Sequence, residues 1–130
     1  MGALLGSCLC GKVKYEINGK LEIFKFCFCP RCQKVSGSAQ AANILVDYSQ
    51  FRWIDGENNV VRYDLPEAKR FAHGFCKTCG SPVPYELRDK TGIVIPAGSL
   101  DSDPGIKPQG IIYWDHRPQW YVEPDGLQKQ

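Results

Sequence analysis

The cysteines of this chain come in three close groups, and the middle group constrains the fold most. Within FCFCPRCQKVSG, residues 26–37, the three thiols of Cys27, Cys29 and Cys32 fall within six positions. Three thiols so close cannot all pair with one another as disulfides, but all three can bind one metal ion. Structural zinc usually has four protein ligands, whereas catalytic zinc has three and keeps a position for water or substrate. The group therefore predicts a metal site with an open position.

Two further pairs of cysteines can supply the ligands of a second site. Cys8 and Cys10 form a CxC pair, and in a strand the side chains at positions i and i+2 project from the same face. Cys76 and Cys79 form a CxxC turn followed by Gly80. Glycine tolerates the positive φ that a backbone curling around a metal requires. Each pair therefore has the pattern of half a tetrahedral site.

Seven cysteines divide most simply between two zinc ions as four plus three. We expect a closed structural zinc and an open catalytic zinc, with structural ligands Cys8, Cys10, Cys76 and Cys79, and catalytic ligands Cys27, Cys29 and Cys32. The competing division is a zinc ribbon of Cys29, Cys32, Cys76 and Cys79. It is less favoured because it leaves Cys27 unused and its two halves are far apart for a ribbon. Structural zinc at both sites and buried free thiols are further alternatives.

The open site suits thiol chemistry better than amide hydrolysis. A zinc ion with an exchangeable position polarises carbonyl oxygens and activates bound water. Three thiolates give the ion a formal charge of −1, so it is a weaker Lewis acid than zinc held by three histidines. Zinc also accepts soft thiolate ligands, so an incoming thiol could bind as its thiolate.

The segments between the cysteines have the pattern of short β-strands. Val13, Tyr15 and Ile17 alternate with polar residues, as in a half-buried strand, and Asn18-Gly19 is typical of a hairpin turn. Further strands are expected at 21–28, 39–46, 51–54, 60–63, 70–75, 82–87, 92–96 and 110–114, with a loop at 36–38 and helical turns at 66–69 and after Cys32. Short strands separated by 13 Gly and 9 Pro predict an all-β fold.

The length of 130 residues fits a single domain, which we place at residues 1–130 with a core at about 6–122 and a loose polar tail. No apolar run approaches the roughly 20 residues of a membrane span, and the N-terminus lacks the features of a signal peptide. An odd number of cysteines suits a reducing compartment, so we expect a cytoplasmic protein. Without a longer Lys/Arg cluster, no nucleic-acid partner is expected. Exposed strand edges would permit a homodimer.

Five motifs occur here in the order in which a known family has them. They are GSCLCG at 6–11, CFCPRC at 27–32 followed by Ser36-Gly37, FCKTCG at 75–80, AGSLD at 97–101 and PQW at 118–120. On these motifs the chain resembles the family of the glutathione-dependent formaldehyde-activating enzyme, which also includes centromere protein V. Each motif alone is weak, but the three cysteine motifs in this order are specific.

The resemblance implies a β-tent domain, two zinc ions divided as above and a carbon–sulfur lyase activity. The implied reaction adds glutathione to formaldehyde to give S-hydroxymethylglutathione, so the expected partners are a small-molecule thiol such as glutathione and a small aldehyde. Three alternatives remain open: a family member that does not use glutathione, a zinc-stabilised binding or chaperone module without catalysis, and a thiol redox protein.

Polar residues near the central cysteines are candidates for binding the thiol substrate. Arg31, Gln33, Lys34 and Ser36 could bind a carboxylate or the backbone of glutathione, although each could equally be a solvated loop residue. Asp101 lies in a Ser-Leu-Asp-Ser-Asp-Pro segment, and we interpret it as a turn residue in preference to a general base.

Aromatic residues and histidines give weaker signals. Trp114, Trp120 and Tyr121 could form the wall of a pocket, but aromatic residues near strand ends are more often part of a core. His73 lies in a strand leading to a cysteine, so a structural role is favoured over zinc binding or proton transfer. His116 lies in a loop and is the better candidate for lining the site.

Overall fold

The computed structural model describes residues 2–130, and within them it has eleven β-strands and one α-helix. The strands are β1 Leu4–Ser7, β2 Lys14–Ile17, β3 Ile23–Cys27, β4 Ala41–Val46, β5 Phe51–Asp55, β6 Val60–Asp64, β7 Ala72–Cys76, β8 Pro82–Val83, β9 Tyr85–Glu86, β10 Ile93–Pro96 and β11 Gly110–Ile112, and the helix is α1 Pro30–Ser36. Short 3-10 helices occur at Tyr48–Gln50, Glu57–Asn59, Ala97–Ser99, Trp114–His116 and Pro124–Gly126. The predicted all-β fold is confirmed.

The strands form three small sheets. Their orders are β1-β2-β5, β11-β3-β4-β10-β9 and β6-β7-β8. All pairs are antiparallel except β3 with β11, which are parallel. The five-stranded sheet has β3 and β4 next to each other, so the end of β3 and the start of α1 lie beside the first residues of β4.

The main core lies between the first sheet and the five-stranded sheet. Tyr15 and Ile17 from β2 pack with Phe24, Ile44 and Ile95 in one buried cluster. The alternation seen in the sequence of β2 places these side chains on the buried face. Burial of the Tyr15 ring is possible only with a glycine opposite, because a Cβ at Gly6 would lie 2.1 Å from that ring. The Tyr15 hydroxyl is hydrogen-bonded to Ser99 at 2.5 Å.

The prediction of a hairpin at Asn18-Gly19 is wrong. Gly19 does have a positive φ of 83°, but β2 and β3 belong to different sheets, so the turn carries the chain from one sheet to another. Gln50 holds this connection, because its side-chain amide donates to the backbone carbonyls of Asn18 and Lys20. A pattern of two turn residues cannot distinguish a hairpin from such a crossing.

Two smaller expectations also need correction, and one strand was not predicted. The loop expected at 36–38 starts later, because α1 continues to Ser36 and ends at Gly37 with a left-handed φ of 62°. The strand expected at 82–87 is interrupted at Pro84, which separates β8 from β9 and cannot donate a hydrogen bond to a sheet. The sequence did not predict β1, a short apolar strand in which Leu4 pairs with Ile17 of β2. The described residues contain no helix of the length and hydropathy needed to span a membrane.

Candidate metal centres

The first cluster of thiols joins two distant parts of the chain. Cys8 and Cys10 follow β1, Cys76 ends β7, and Cys79 lies in the following turn. Their four Sγ atoms all lie within 4.8 Å of one another. The Sγ atoms of Cys8 and Cys10 are 3.6 Å apart, and those of Cys10 and Cys76 are 3.8 Å apart. A tetrahedron of thiolates around zinc has edges of about 3.8 Å, since each Zn–S bond is about 2.3 Å. The donor set therefore fits a four-coordinate metal.

Hydrogen bonds to sulfur surround this cluster, as is typical of the shell around metal ligands. The backbone N–H of Val13 donates to Cys8 Sγ, and the Asn59 amide donates to Cys76 Sγ, both at 3.3 Å. The Ser81 hydroxyl lies 2.9 Å from Cys79 Sγ. Gly80 has the positive φ, 76°, that the CxxCG motif predicts.

The thiols of this cluster differ in acidity. The hydrogen bond from Ser81 lowers the pKa of Cys79 to about 5. The pKa of Cys10 is raised to about 11. The backbone N–H of Lys12 lowers this pKa, but burial and the three neighbouring thiols together raise it by more. A divalent cation would remove this conflict, because it favours the thiolate form of every ligand.

The second cluster lies where β3 passes into α1. Cys27 is the last residue of β3, Cys29 is the N-cap of α1, and Cys32 lies one turn into the helix. Pro30 occupies the first helical position, where its fixed φ suits helix initiation. The backbone N–H of Cys32 donates to Cys29 Sγ at 3.3 Å. The strand end and the helix start thus bring the three Sγ atoms within 4.8 Å of one another.

The three central thiols shift one another's pKa values. Hydrogen bonds from the thiols of Cys27 and Cys32 lower the pKa of Cys29 to about 2. Hydrogen bonds with Cys27, the largest cause, and with Cys29 raise the pKa of Cys32. The hydrogen bond with Cys29 raises the pKa of Cys27. A bound cation would favour the thiolate form of all three.

The central cluster has no fourth protein ligand among residues 2–130. No other Cys, His, Asp or Glu of that range places a ligand atom within 4.8 Å of all three sulfurs. The structure therefore groups the sulfurs as four plus three, and it does not bring Cys29 and Cys32 together with Cys76 and Cys79 as a zinc ribbon requires. Both clusters could hold a metal ion.

A large cleft opens at the central cluster. Its volume is about 730 Å³, and all three central cysteines line it. Its rim carries mainly positive charge: among the described residues that line it are Lys25, Arg31, Lys69 and Arg70, against one acidic residue, Glu67. A cleft lined by one sign of charge concentrates ligands of the opposite sign. Anionic small molecules are therefore the ligands that this cleft favours.

The polar candidates on α1 separate into one cleft residue and two that lie elsewhere. Arg31 lines the cleft. Lys34 is exposed in the last turn of α1 and does not line it. The Ser36 hydroxyl donates to the backbone carbonyl of Cys32 at 2.7 Å, so it is used within the helix.

Gln33 has a structural contact that the sequence did not indicate. Its side-chain amide donates to the backbone carbonyl of Phe28 at 2.7 Å and to that of His116 at 3.0 Å. These bonds fasten the segment after β11 to the start of α1. That segment places His116 and Tyr113 on the cleft.

Of the three aromatic candidates, Trp114 and Tyr121 pack against Phe28, and none of the three lines the cleft. Phe28 is 1% exposed, and the rings of Trp114 and Tyr121 pack edge-on against it at centroid distances of 5.2 and 5.1 Å. The Arg117 guanidinium lies 4.2 Å from the centroid of the Trp114 ring. Trp120 is 67% exposed. Trp114 and Tyr121 therefore support the segment next to the cleft through their contacts with Phe28.

His73 and Asp101 lie outside the cleft. His73 is half-buried in β7 and stacks on Phe75 at 5.5 Å, and burial lowers its pKa. The backbone N–H of Asp101 donates to Leu5, and its carboxylate accepts a hydrogen bond from Ser7 at 2.7 Å. Asp101 thus connects its turn to β1.

Several cleft residues come from parts of the sequence without any motif. Asn43 and Tyr85 lie on β4 and β9, and Lys69 and Arg70 lie in the segment before β7. Arg88 holds that segment in place: its guanidinium donates to the backbone carbonyl of Leu65 and, at 2.5 Å, to that of Ala68. Only the sheet topology brings these residues to the cysteines, so no local pattern could have identified them.

Comparisons with known proteins agree with this geometry. The sequence profile of a family described as "Glutathione-dependent formaldehyde-activating enzyme" matches residues 3–116. Among the solved structures that match, a crystal structure of a Rhodobacter sphaeroides protein has 22% sequence identity and a TM-score of 0.64, and the match covers 82% of this chain and 98% of that one. At this identity the likeness concerns the fold alone. A search of curated proteins found no significant match.

Proposed function

The chain belongs to the family of the glutathione-dependent formaldehyde-activating enzyme, and from this premise we propose that it is a zinc-dependent carbon–sulfur lyase. Its substrates would be a small-molecule thiol such as glutathione and a small aldehyde, and its product their thiohemiacetal adduct. Zinc is the proposed metal at both clusters, because clusters of three or four cysteines are typical zinc ligands. The site with Cys8, Cys10, Cys76 and Cys79 would be structural, and the site with Cys27, Cys29 and Cys32 catalytic.

One observation carries the proposal: the cluster without a fourth protein ligand is the one that lines the large cleft. The three central sulfurs line a space of about 730 Å³, whereas the four-cysteine cluster has its full set of ligands and does not line this cleft. An incomplete ligand set at a cleft is the arrangement of a catalytic metal site.

When bound, zinc would supply a Lewis acid with one exchangeable position that favours a thiolate ligand. The protein's own residues would bind and orient the substrates. Arg31 and Lys69 offer cationic groups to the carboxylates of a thiol such as glutathione. Arg70 also lines the cleft, but its guanidinium is ion-paired with Asp89 at 3.2 Å. The walls of the cleft would limit access of water to the adduct.

Two neutral donors are available for the aldehyde oxygen. Within residues 2–130, neither the Tyr85 hydroxyl nor the Asn43 amide has a hydrogen-bonding partner, and no unpartnered side-chain N or O atom is buried. Both side chains are partly exposed, and both line the cleft. In the proposed reaction the S–H bond breaks, an S–C bond forms at the carbonyl carbon, and the carbonyl oxygen receives a proton. Donors near that oxygen would stabilise its developing charge.

The direct test is to measure adduct formation by NMR. Zinc-loaded protein is mixed with ¹³C-formaldehyde and glutathione, and exchange between free and adduct signals is compared with the uncatalysed exchange. We expect an acceleration of about tenfold or more, which corresponds to a barrier lower by ~1.4 kcal/mol.

The control is Cys29→Ser, which removes a ligand of the open cluster and leaves the four-cysteine cluster intact. This variant should stay folded and lose the acceleration. Equal rates with and without the zinc-loaded wild-type protein would contradict the proposed reaction and favour a zinc-stabilised binding module.

A further inference from the structure

A second, smaller cavity adjoins the cleft behind helix α1. It lies between α1, the first residues of β4, the β7-β8 pair and the turn after β10, and its volume is about 160 Å³. We call it the chamber. Ser36 and His73, which the sequence singled out for other roles, line it, and the proposed reaction of formaldehyde does not need it.

The chamber is mostly apolar. Its wall includes Val35, Ala41, Phe71, Val83 and Ala97. An engineered apolar cavity of about 150 Å³ stays dry and binds benzene, so a space of this size holds a group of about six carbon atoms. The chamber is therefore far larger than formaldehyde and has the size and polarity for a hydrocarbon group.

The chamber and the cleft share part of their walls. Cys32, Asn43, Phe71 and Tyr85 line both spaces. The junction thus combines one sulfur of the central cluster with the two unpartnered donors, the Tyr85 hydroxyl and the Asn43 amide. A molecule with an apolar chain and a polar end would match an apolar chamber that has donors at its junction with the cleft.

We propose that the chamber binds the hydrocarbon side chain of the aldehyde substrate, so that aldehydes with up to about six carbons are preferred over formaldehyde. This inference rests on the proposed function. The carbonyl group would lie at the junction, near Tyr85 and Asn43, and the anionic thiol would occupy the cationic cleft. The S–C bond would then form where the two spaces meet.

The size of the preference follows from the burial of methylene groups. Each buried CH₂ contributes about fourfold in binding, and the gain stops when the chamber is full. Formaldehyde has no carbon chain and gains nothing from the chamber. Affinity should therefore rise with chain length and reach a plateau near six carbons.

A binding experiment tests the chamber without relying on activity. The zinc-loaded protein is titrated with unreactive alcohols from 1-propanol to 1-hexanol, and NMR signals of the methyl groups of Val35, Ala41 and Ala97 and of the His73 ring are followed. We expect these signals to shift, with about fourfold tighter binding for each added methylene. Shifts confined to other regions, or an affinity independent of chain length, would overturn the inference.

Two variants reduce the space. Ala41 lies on the same face of β4 as Asn43, so Ala41→Val extends into the chamber. Gly98 also lines it, and a Cβ there meets nothing within 4 Å, so Gly98→Leu introduces no clash at its Cβ. Both should weaken hexanol binding by about fivefold or more, the loss of one to two buried methylenes. Wild-type affinity for hexanol in both variants would overturn the inference.

A kinetic comparison separates this inference from the proposed function. Rates with formaldehyde and with hexanal are measured with the same thiol, for the wild type and for Gly98→Leu. We expect hexanal to be the better substrate, and the variant to lower the rate with hexanal only. Acceleration with formaldehyde but not with hexanal would overturn the inference alone. No acceleration with either aldehyde would overturn the proposed function and this inference together.

Discussion

The Sγ atoms of Cys10 and Cys76 lie 3.8 Å apart, although 66 positions separate the two residues in the sequence. Cys10 follows the first strand of one sheet, and Cys76 ends the middle strand of another. Cys8 and Cys76 also pack with Val13 and Val83 in a second small core. A metal at this cluster would therefore join two sheets that share no strand pairing.

This relationship predicts different effects for the two clusters on stability. Cys10→Ser should lower the free energy of unfolding by more than about 4 kcal/mol, because loss of a structural metal removes folding free energy directly. Cys29→Ser should cost less, because its cluster lies within one short segment, 27–32. Thermal and denaturant unfolding of the two purified variants measures the difference. Equal destabilisation would contradict the assignment of structural and catalytic roles.

Removal of metal should follow a fixed order. We expect two zinc ions per chain and faster loss of the one at the central cluster, because a chelator can bind at the open position facing the cleft. Time courses of zinc release to a chromogenic chelator should show two phases, and Cys29→Ser should lack the fast one. One zinc per chain in undamaged protein, or loss of the slow phase in this variant, would be the contrary result.

Arg31 and Lys34 offer a matched comparison on one helix. Both are cationic and exposed on α1, but only Arg31 lines the cleft. Arg31→Gln should raise the KM for glutathione about two- to fivefold, as expected for loss of one exposed ion pair, with a smaller effect at high salt. Lys34→Gln should leave KM unchanged. Similar KM changes in both variants would indicate a nonspecific charge effect and contradict a role for Arg31 in the cleft.

Arg88 should act on the cleft through the segment that it holds. Its guanidinium donates to the backbone carbonyls of Leu65 and Ala68, and this segment leads to Lys69 and Arg70 at the rim. Arg88→Met should lower stability by about 2 kcal/mol and raise the KM for glutathione, while kcat changes less.

Arg62→Met is the control for Arg88, because Arg62 forms an ion pair with Asp64 at 2.8 Å and does not line the cleft. Arg62→Met should leave the KM for glutathione unchanged. Arg88→Lys should keep part of the stability that Arg88→Met loses. A loss of kcat without a change in KM for Arg88→Met would contradict the positioning role.

His73 predicts a component of the pH dependence of stability. Burial lowers its pKa in the folded protein, whereas an unfolded histidine titrates near about 6.5. Between these values the unfolded state binds more protons, so stability rises with pH and is lost as the pH falls below about 6.5. The wild type should therefore lose more stability between pH 7 and pH 5.5 than His73→Gln does. Equal losses would show that His73 does not contribute.

Much of this structure could be predicted from the sequence because its main signals are local. The alternation of Val13, Tyr15 and Ile17 identified β2, and each of these residues is at most 1% exposed. The CxC and CxxC spacings predicted the local groups of thiols, because ligands close in sequence need little chain rearrangement to share an ion. The joining of Cys8 and Cys10 with Cys76 and Cys79 depends on the fold. Gly80 and Gly37 have the left-handed backbone that such turns require.

The rest depends on contacts between distant segments. Which sheet receives β3 depends on pairing with β4 and β11, and Asn18-Gly19 carries no information about it. Tyr85 and Asn43 reach the cleft through the order of strands in the five-stranded sheet. Arg88 differs from other arginines only in its hydrogen bonds to the backbone carbonyls of Leu65 and Ala68, which the sequence does not show. The side chains that line the cleft were therefore the part of the site that sequence patterns identified least.

The central claim is that the sulfurs of Cys27, Cys29 and Cys32 hold a metal with one exchangeable position. The most direct test is ¹¹³Cd NMR of the cadmium-substituted protein, since the chemical shift of cadmium reports how many sulfur atoms bind it. We predict two signals per chain: one typical of four sulfurs and insensitive to added glutathione, and one typical of three sulfurs that moves toward the four-sulfur range when glutathione is added. Two signals whose chemical shifts do not change when glutathione is added, or a single four-sulfur signal, would contradict the claim.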